Sequence, residues 1–171
     1  NSRLPENCLG DLNAQMASVK IAELRLIEVF EKYGSSTTLE AFSHILSSSE
    51  KLSRSAIEKL PDGSYFASDW IDGDGIEQKR FKVNVKVTIL HDQITVDFTG
   101  CCGQLKGPVN CSRSAMISAV KTVMKAVVNP QAPSNDGWFR PLNVICPDKT
   151  VFTAQPPAAV GWYYEATGHV S

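Results

Sequence analysis

The residues best placed to do chemistry lie where an alternating polar stretch meets a glycine-rich segment. Asp97 and Thr99 end that stretch, and Gly100 opens the segment that follows. Gly100 can adopt a positive φ without a Cβ clash, so the backbone can turn sharply and present its N–H groups to a ligand. Asp97 is therefore a candidate catalytic carboxylate and Thr99 a candidate donor to substrate. The competing interpretation is that both residues only anchor a tight turn.

A second candidate pair lies near the end of the sequence. Glu165 and His169 are four residues apart, so a helix would bring them to one face. A carboxylate beside an imidazole is typical of acid–base catalysis. The pair is predicted to be catalytic if a helix forms there.

Three further residues, with Gly100, are candidates for substrate binding. Asn110 precedes a predicted helix start, where unpaired N–H groups favour an anion, although Asn110 or Ser112 could equally cap the helix. Asn135 and Arg140 belong to a turn containing Trp138. Arg140 could bind a substrate carboxylate through two parallel hydrogen bonds. It could instead pair with a neighbouring acid and only hold the turn in place.

Other motifs predict neither a nucleotide site nor a metal site. The segment 100–107 matches no phosphate-binding glycine motif. The acidic residues Asp72, Asp74 and Glu77 fit only part of a calcium loop, so an acidic turn is the preferred interpretation and a stand-alone metal-binding module the weaker alternative. Five cysteines without a CxxC pair are most simply reduced thiols of a cytoplasmic protein.

Hydrophobic periodicity predicts the elements that position these residues. A period near 3.6 from Asp11 predicts a first helix ending at Gly34, and Thr37-Thr-Leu-Glu40 has the form of a capping box for a second. The serines at 47 to 49 either break the second helix or are tolerated within it. A third helical segment is predicted to end before Pro61, so residues 1–60 are predicted to be helical.

A period of two then predicts strands at 64–70, 80–90 and 93–99, the last two forming an antiparallel hairpin. A helix from Ser112 to Asn129 and a strand at 142–145 follow. Residues 61–171 are thus predicted to be mixed, and the whole chain to be an α+β single domain or sub-domain.

Composition excludes several classes of function. The chain has 171 residues, 43% of them hydrophobic, and a formal net charge of −1. A charge so close to zero argues against a nucleic-acid or anionic-membrane partner. No apolar run approaches the roughly 20 residues of a membrane span.

Six segments, in order along the chain, resemble the hydantoinase B family. They are Asn1-Ser-Arg-Leu-Pro-Glu with Gly10-Asp-Leu-Asn-Ala-Gln15, Leu60-Pro-Asp-Gly-Ser-Tyr65, Asp97-Phe-Thr-Gly100, Gly107-Pro-Val-Asn110, Asn135-Asp-Gly-Trp-Phe-Arg-Pro141 and Pro157-Ala-Ala-Val160. Many family members continue with Gly-Asn-x-Glu-Thr-Ser, whereas this chain has Gly161-Trp-Tyr-Tyr-Glu-Ala-Thr-Gly-His169. That difference leaves the substrate, and a carboxylase-type or uncharacterised branch, open.

The resemblance implies part of the B-type subunit of an ATP-dependent hydantoinase or 5-oxoprolinase. In such enzymes an A-type subunit or domain binds ATP and phosphorylates a small-molecule substrate, and the B-type part completes the ring opening. A subunit of an acetone or acetophenone carboxylase-like enzyme is the alternative.

The same resemblance predicts that this chain is an internal fragment, inactive alone, of an oligomeric enzyme. Family metal motifs lie upstream of the matched region, so ATP and a divalent metal are expected only in the complete enzyme. From the residues alone, a non-catalytic domain that only contacts other subunits remains a further hypothesis, because each polar cluster also has a structural explanation.

Overall fold

The computed structural model describes residues 4–170, which form two compact units divided between Ile45 and Leu46. Residues 1–3 of the first family segment lie outside the described residues. The helices are α1 (Pro5–Tyr33), α2 (Ser35–Ile57), α3 (Arg113–Val128) and α4 (Tyr163–Gly168), with a 3₁₀ helix at Asp136–Phe139. The strands are β1 (Gly63–Ile71), β2 (Phe81–Leu90), β3 (Gln93–Asp97) and β4 (Leu142–Ile145).

The first unit contains α1 and the beginning of α2. Helix α1 starts at Pro5, six residues before the predicted start, because proline is well accommodated in a first helical turn. None of its described residues is buried. Phe30 and Phe42 make an edge-on ring contact with centroids 6.4 Å apart, so α1 and the start of α2 pack against each other at their junction.

The predicted capping box at 37–40 is wrong. Helix α2 already begins at Ser35, because Gly34 has φ of +79° and turns the chain directly from one helix into the next. Thr38 lies inside the first turn and donates its hydroxyl to the Gly34 carbonyl at 2.9 Å. The predicted second and third helices are one continuous helix. It tolerates the serines at 47–49, and Ser49 is buried there.

The second unit is built on a four-stranded sheet with the order β1-β2-β3-β4. Strands β1, β2 and β3 pair antiparallel, and β4 adds to β3 in parallel. Helix α3 makes the long connection that a parallel pair requires. The fold is α+β as predicted, and the hairpin of β2 and β3 is present, but the periodicity did not indicate the parallel pair.

The core lies on one face of this sheet. Apolar residues of the strands, such as Val83 and Ile94, belong to one buried cluster with Met116, Val120 and Met124 of α3. The hydroxyl of Ser112 accepts the Ala115 N–H at 3.2 Å and caps α3. Alternation along β2 puts its lysines and Asn84 on the other face, which leaves that face available for polar contacts.

The 3₁₀ helix packs against the second half of α2. A Cβ on Gly137 would lie 2.0 Å from the Leu46 carbonyl oxygen, so only glycine fits this approach. Trp138 beside it is fully buried, which fixes the segment that carries Asn135 and Arg140. Across residues 4–170 we find no helix with the length and apolarity needed to cross a membrane.

Candidate functional site

Asp97 and Thr99 line an open groove of about 440 Å³ on the polar face of the sheet. The groove is formed by Phe66, Ala67, Ser68, Lys82, Asn84, Val85, Lys86, Asp97 and Thr99. Asp97 Oδ1 accepts the Thr99 N–H at 2.8 Å. Hydrogen bonds from Thr99 and the nearby charge of Lys86 hold the pKa of Asp97 below its usual value. The carboxylate is therefore ionised at neutral pH and suited to accept a hydrogen bond from a ligand.

Gly100 supports this groove through its backbone. Its φ is +90°, and the Asn84 amide donates to the preceding Thr99 carbonyl at 2.8 Å. A Cβ at Gly100 would lie 3.4 Å from Asn84 Nδ2, so the turn packs closely on β2. The predicted sharp turn after Asp97 is thus present, and it presents Thr99 at the groove.

A helix does form near the end of the chain, α4, and it brings Glu165 and His169 together. His169 Nε2 lies 4.0 Å from Glu165 Oε1. His169 Nδ1 lies 2.9 Å from Asp69 Oδ2, so the carboxylate of Asp69 orients the ring. The His169 side chain is only 17% exposed, next to a small pocket that also contacts Phe98 and Phe152.

Asp69 is the member of this cluster that the sequence did not identify as catalytic. The backbone N–H of Trp70 and the His169 ring hold the pKa of Asp69 below its usual value. A charged Asp69 favours protonation on Nδ1, which is the tautomer that an acid–base role of Nε2 requires. One hundred residues separate Asp69 from its histidine partner, so no local pattern could have indicated the pair.

The two clusters lie on opposite faces of the sheet. Asp97 pairs with Lys86 on β2. Asp69 pairs with Val83 on the same strand. Because positions 83 and 86 differ by three, their side chains point to opposite faces. The four predicted catalytic residues therefore form two separate sites, Asp97 with Thr99 and His169 with Glu165.

Asn110 is fully buried and holds the glycine-rich segment together. Its Oδ1 accepts the Leu105 N–H at 2.7 Å. Its amide nitrogen lies 3.0 Å from the carbonyls of Leu105 and Gly107 and 2.9 Å from that of Ala159. These contacts occupy both ends of the side chain, so the geometry supports a positioning role. Substrate binding by Asn110 stays a prediction.

Asn135 and Arg140 face the second half of α2. Asn135 caps the 3₁₀ helix and donates to Ser49 Oγ at 2.8 Å. Arg140 donates to Glu50 Oε2 at 2.9 Å, and Arg54 binds the same carboxylate. Hydrogen bonds from Arg140 and Arg54 hold the pKa of Glu50 below its usual value. Neither residue lines the groove of Asp97, and their predicted role in substrate binding stays a prediction.

Two acidic residues of the turn after β1 form ion pairs with basic residues of the same chain. Asp72 pairs with Arg80, and Glu77 pairs with Lys79 and Lys106. In the described part of the chain, no three His, Cys, Asp or Glu side chains are grouped so that they could hold a metal ion.

The cysteines next to the glycine-rich segment are poor nucleophiles. Burial raises the pKa of the Cys101 thiol to about 11 and that of Cys111 to about 12. Cys101 also exchanges hydrogen bonds with the backbone of Asn84. Because a thiol reacts as its thiolate, these thiols are inert at neutral pH.

The family model described as hydantoinase B/oxoprolinase matches residues 1–171. The chain belongs to the hydantoinase B/oxoprolinase family. An uncharacterised protein of Methanocaldococcus jannaschii is 35% identical over 160 residues, covering 94% of this chain and 28% of that protein. The B-type subunit of a putative D-/L-hydantoinase from a Pseudomonas species is 34% identical over 169 residues, covering 92% of this chain and 28% of that protein. The chain thus spans about a quarter of these relatives.

Two solved structures share the fold. The crystal structure of the ATP-dependent caprolactamase from Pseudomonas jessenii matches 94% of this chain and 28% of that chain, with a TM-score of 0.82 and 23% identity. An acetone carboxylase in its nucleotide-free form matches 81% of this chain and 20% of that chain, with a TM-score of 0.69 and 15% identity. Because both structures are less than 25% identical to this chain, these matches show that the fold is shared and carry no conclusion about function.

Proposed function

We propose that the protein containing this chain is the B-type part of an ATP-dependent cyclic-amide hydrolase of the hydantoinase or 5-oxoprolinase type. It works with an A-type subunit or domain that binds ATP and phosphorylates the substrate. The observation that carries this proposal is the family match over the whole chain, joined by a relative named as the B-type part of a hydantoinase. The isolated chain is expected to be inactive.

Within this function, His169 is the proposed general base and acid. With Nδ1 held by Asp69, Nε2 can remove a proton from water as its oxygen attacks the activated ring carbonyl. The ring C–N bond then breaks, and the nitrogen takes up the proton that His169 returns. The acyl phosphate left at the carbonyl carbon is hydrolysed by a second water, which releases inorganic phosphate. Glu165, 4.0 Å from Nε2, stabilises the imidazolium that forms between these steps.

The groove of Asp97 is proposed to bind the polar part of a substrate or of the partner subunit. Its ionised carboxylate accepts N–H donors, and Lys82 and Lys86 supply positive charge on the same face. Cysteines without a CxxC pair suit a reducing compartment, so we propose a cytoplasmic location.

The test uses the full-length polypeptide assembled with its A-type partner. We expect His169→Gln to lower kcat for ATP-dependent hydantoin or 5-oxoproline hydrolysis about 100-fold or more, which is the usual contribution of a general base. Asp69→Asn should lower it less and shift the pH profile. His91→Gln, at an exposed histidine in the β2–β3 turn, is the matched control. Turnover by residues 1–171 alone, without a partner, would contradict the proposal.

A carboxylase is the second candidate, since an acetophenone carboxylase delta subunit from Aromatoleum aromaticum is 23% identical over 158 residues. To test this candidate, the full-length polypeptide assembled with its A-type partner would be incubated with a ketone, bicarbonate and ATP. Carboxylation of the ketone without any opening of cyclic amides would favour this candidate over the first.

Asn110, Asn135 and Arg140 each bond to other groups within the chain. These contacts also favour a third candidate, a domain that only contacts other subunits. Asp97→Ala and Arg140→Ala in the complete complex decide between the two roles. Loss of turnover with assembly intact would exclude a purely structural domain. Loss of assembly in both variants would support it.

A further inference from the structure

Three consecutive aromatic residues lie exposed at the start of α4. Trp162, Tyr163 and Tyr164 are 56%, 52% and 53% exposed. Their rings contact each other, with centroids 5.4 Å apart for Trp162 and Tyr164 and 6.1 Å apart for Tyr163 and Tyr164. We call these three residues the aromatic platform. Large aromatic side chains so exposed and so clustered commonly mark a binding surface.

The backbone beneath the aromatic platform is held firmly. The Trp162 N–H donates to the Pro108 carbonyl at 2.9 Å. The buried Asn110 amide donates to the Ala159 carbonyl, also at 2.9 Å. Ala166, one turn into α4, is fully buried and fixes the helix on the core. The rings are therefore presented to the outside by an ordered base, which reduces the entropy lost when a ligand binds.

The size of the aromatic platform fits a small ligand better than a protein. A buried aromatic residue contributes about 150–250 Å², so three rings exposed by about half offer roughly 300 Å². A stable protein interface needs about 800 Å² from each partner. A flat ring could stack on one or two of these side chains.

The aromatic platform also adjoins the proposed acid–base pair. The Glu165 N–H donates to the Trp162 carbonyl at 3.0 Å, so the carboxylate lies one turn along the same short helix. His169 follows one further turn on, with Nε2 4.0 Å from Glu165.

We propose that the aromatic platform determines substrate specificity by stacking against a planar aromatic substituent of a cyclic amide. The substituent lies on Trp162 and Tyr164, and the amide ring extends towards His169. This inference rests on the proposed function, because it assumes that a cyclic amide is the substrate. It specifies the class of cyclic amide that the enzyme prefers.

The experiment compares two substrates in the full-length complex, unsubstituted hydantoin and hydantoin carrying a phenyl group at ring position 5. We expect Trp162→Ala and Tyr164→Ala each to lower the ratio of kcat/KM for the phenyl compound over the unsubstituted one about 5- to 10-fold, since an aromatic contact contributes about 1 kcal/mol. Trp162→Phe should keep most of the ratio. Tyr33→Ala, at a 56% exposed ring at the end of α1, is the control and should leave it unchanged.

The ratio does not depend on how much enzyme is folded, so a partly unfolded variant remains informative. An unchanged ratio in both alanine variants would overturn the inference while leaving the proposed function intact. Loss of the A-type partner on size-exclusion chromatography with Trp162→Ala would also overturn it, because the platform would then be a protein contact. If the unaltered complex opened neither of these substrates nor 5-oxoproline, the proposed function itself would fail.

Discussion

The side chain of Asp74 shows how single residues shape the loops around the candidate site. It is 1% exposed, and its two oxygens accept the N–H groups of Ile76, Glu77 and Gly107 at 2.7–2.9 Å. Burial acts to raise the pKa of Asp74, but these three donors outweigh it and hold the pKa below its usual value. The bond to Gly107 ties the acidic turn after β1 to the glycine-rich segment after β3.

The contact between Gly107 and Asp74 leaves no room for a side chain at position 107. A Cβ there would lie 1.6 Å from the Asp74 carbonyl oxygen, so backbone would have to move. We expect Gly107→Ala to lower the free energy of unfolding by about 3 kcal/mol, at the upper end of the cost of overpacking. Gly103→Ala in the same segment is the control, because its Cβ would meet its nearest neighbour at 3.7 Å. Equal urea midpoints for the two variants would show that the close approach is absent.

The depressed pKa of Asp74 predicts how stability depends on pH. A carboxyl whose pKa is lower when folded stabilises the fold above the unfolded pKa of about 3.9, and this contribution disappears as pH falls through the folded value. Asp74→Asn should therefore be less stable than the unaltered chain at pH 7, and the difference should shrink at pH 3. Urea unfolding of both chains at pH 7 and pH 3 measures this difference in stability. A difference that stays constant between them would exclude an ionised Asp74 in the folded chain.

For single residues, the sequence indicated which side chains could take part in chemistry, but it did not indicate which other side chains they contact. Asp97 and Thr99 were identified because a strand end and a glycine lie next to each other along the chain. Asp69 was missed because its histidine is 100 residues away. Arg140 was predicted to bind a carboxylate, and the carboxylate that it contacts is Glu50, 90 residues earlier. Such pairs depend on tertiary packing, which no local spacing records.

At the scale of elements, the contact between α2 and the 3₁₀ helix is made by an extended ionic network. Glu50 accepts from both Arg54 and Arg140, and Arg54 also donates to Asp92 at 2.9 Å. The network thus joins α2 to the β2–β3 turn as well as to the segment before β4. Gly137, which packs on Leu46, adds the close backbone approach described above.

Removing the charge of Glu50 should loosen this contact. The pKa of Glu50 is lowered by its two arginines, so its contribution is present above the unfolded pKa of about 4.3 and is lost as pH falls through the folded value. We expect Glu50→Gln to lower the thermal midpoint at pH 7 and to have little effect at pH 3. The exposed Glu58 in the same region provides a control in Glu58→Gln. A similar loss in both variants would argue against the network.

Periodicity predicted the elements well because it reports which face of each is buried. The positions of β2 and β4 follow closely from that signal, whereas it left the cap of α3 open between Asn110 and Ser112. The sequence could not show that β4 adds to β3 in parallel, since register depends on which strand edge is free. It also placed a cap at 37–40, because it could not show that Gly34 would turn one helix straight into the next.

At the scale of the whole molecule, the buried core and the long first helix differ in how much apolar surface they bury. Every residue of the hydrophobic cluster lies between Ile57 and Ala166. Helix α1 has no buried residue among its 29, and it carries exposed apolar side chains at Leu9, Leu12, Met16 and Val19. The matched relatives are more than three times as long as this chain.

This contrast predicts the outcome of deleting residues 1–34, which removes α1 and leaves α2 complete. Because no residue of the lost helix is buried, we expect the remaining chain to unfold cooperatively, with a urea midpoint close to that of residues 1–171. Its tendency to self-associate should fall, since the exposed apolar side chains of α1 are gone. Urea unfolding followed by circular dichroism and sedimentation velocity measure the two effects. A chain that loses its cooperative transition on this deletion would mean that α1 is part of the folding unit, and the core between residues 57 and 166 would then be insufficient to hold the sheet together.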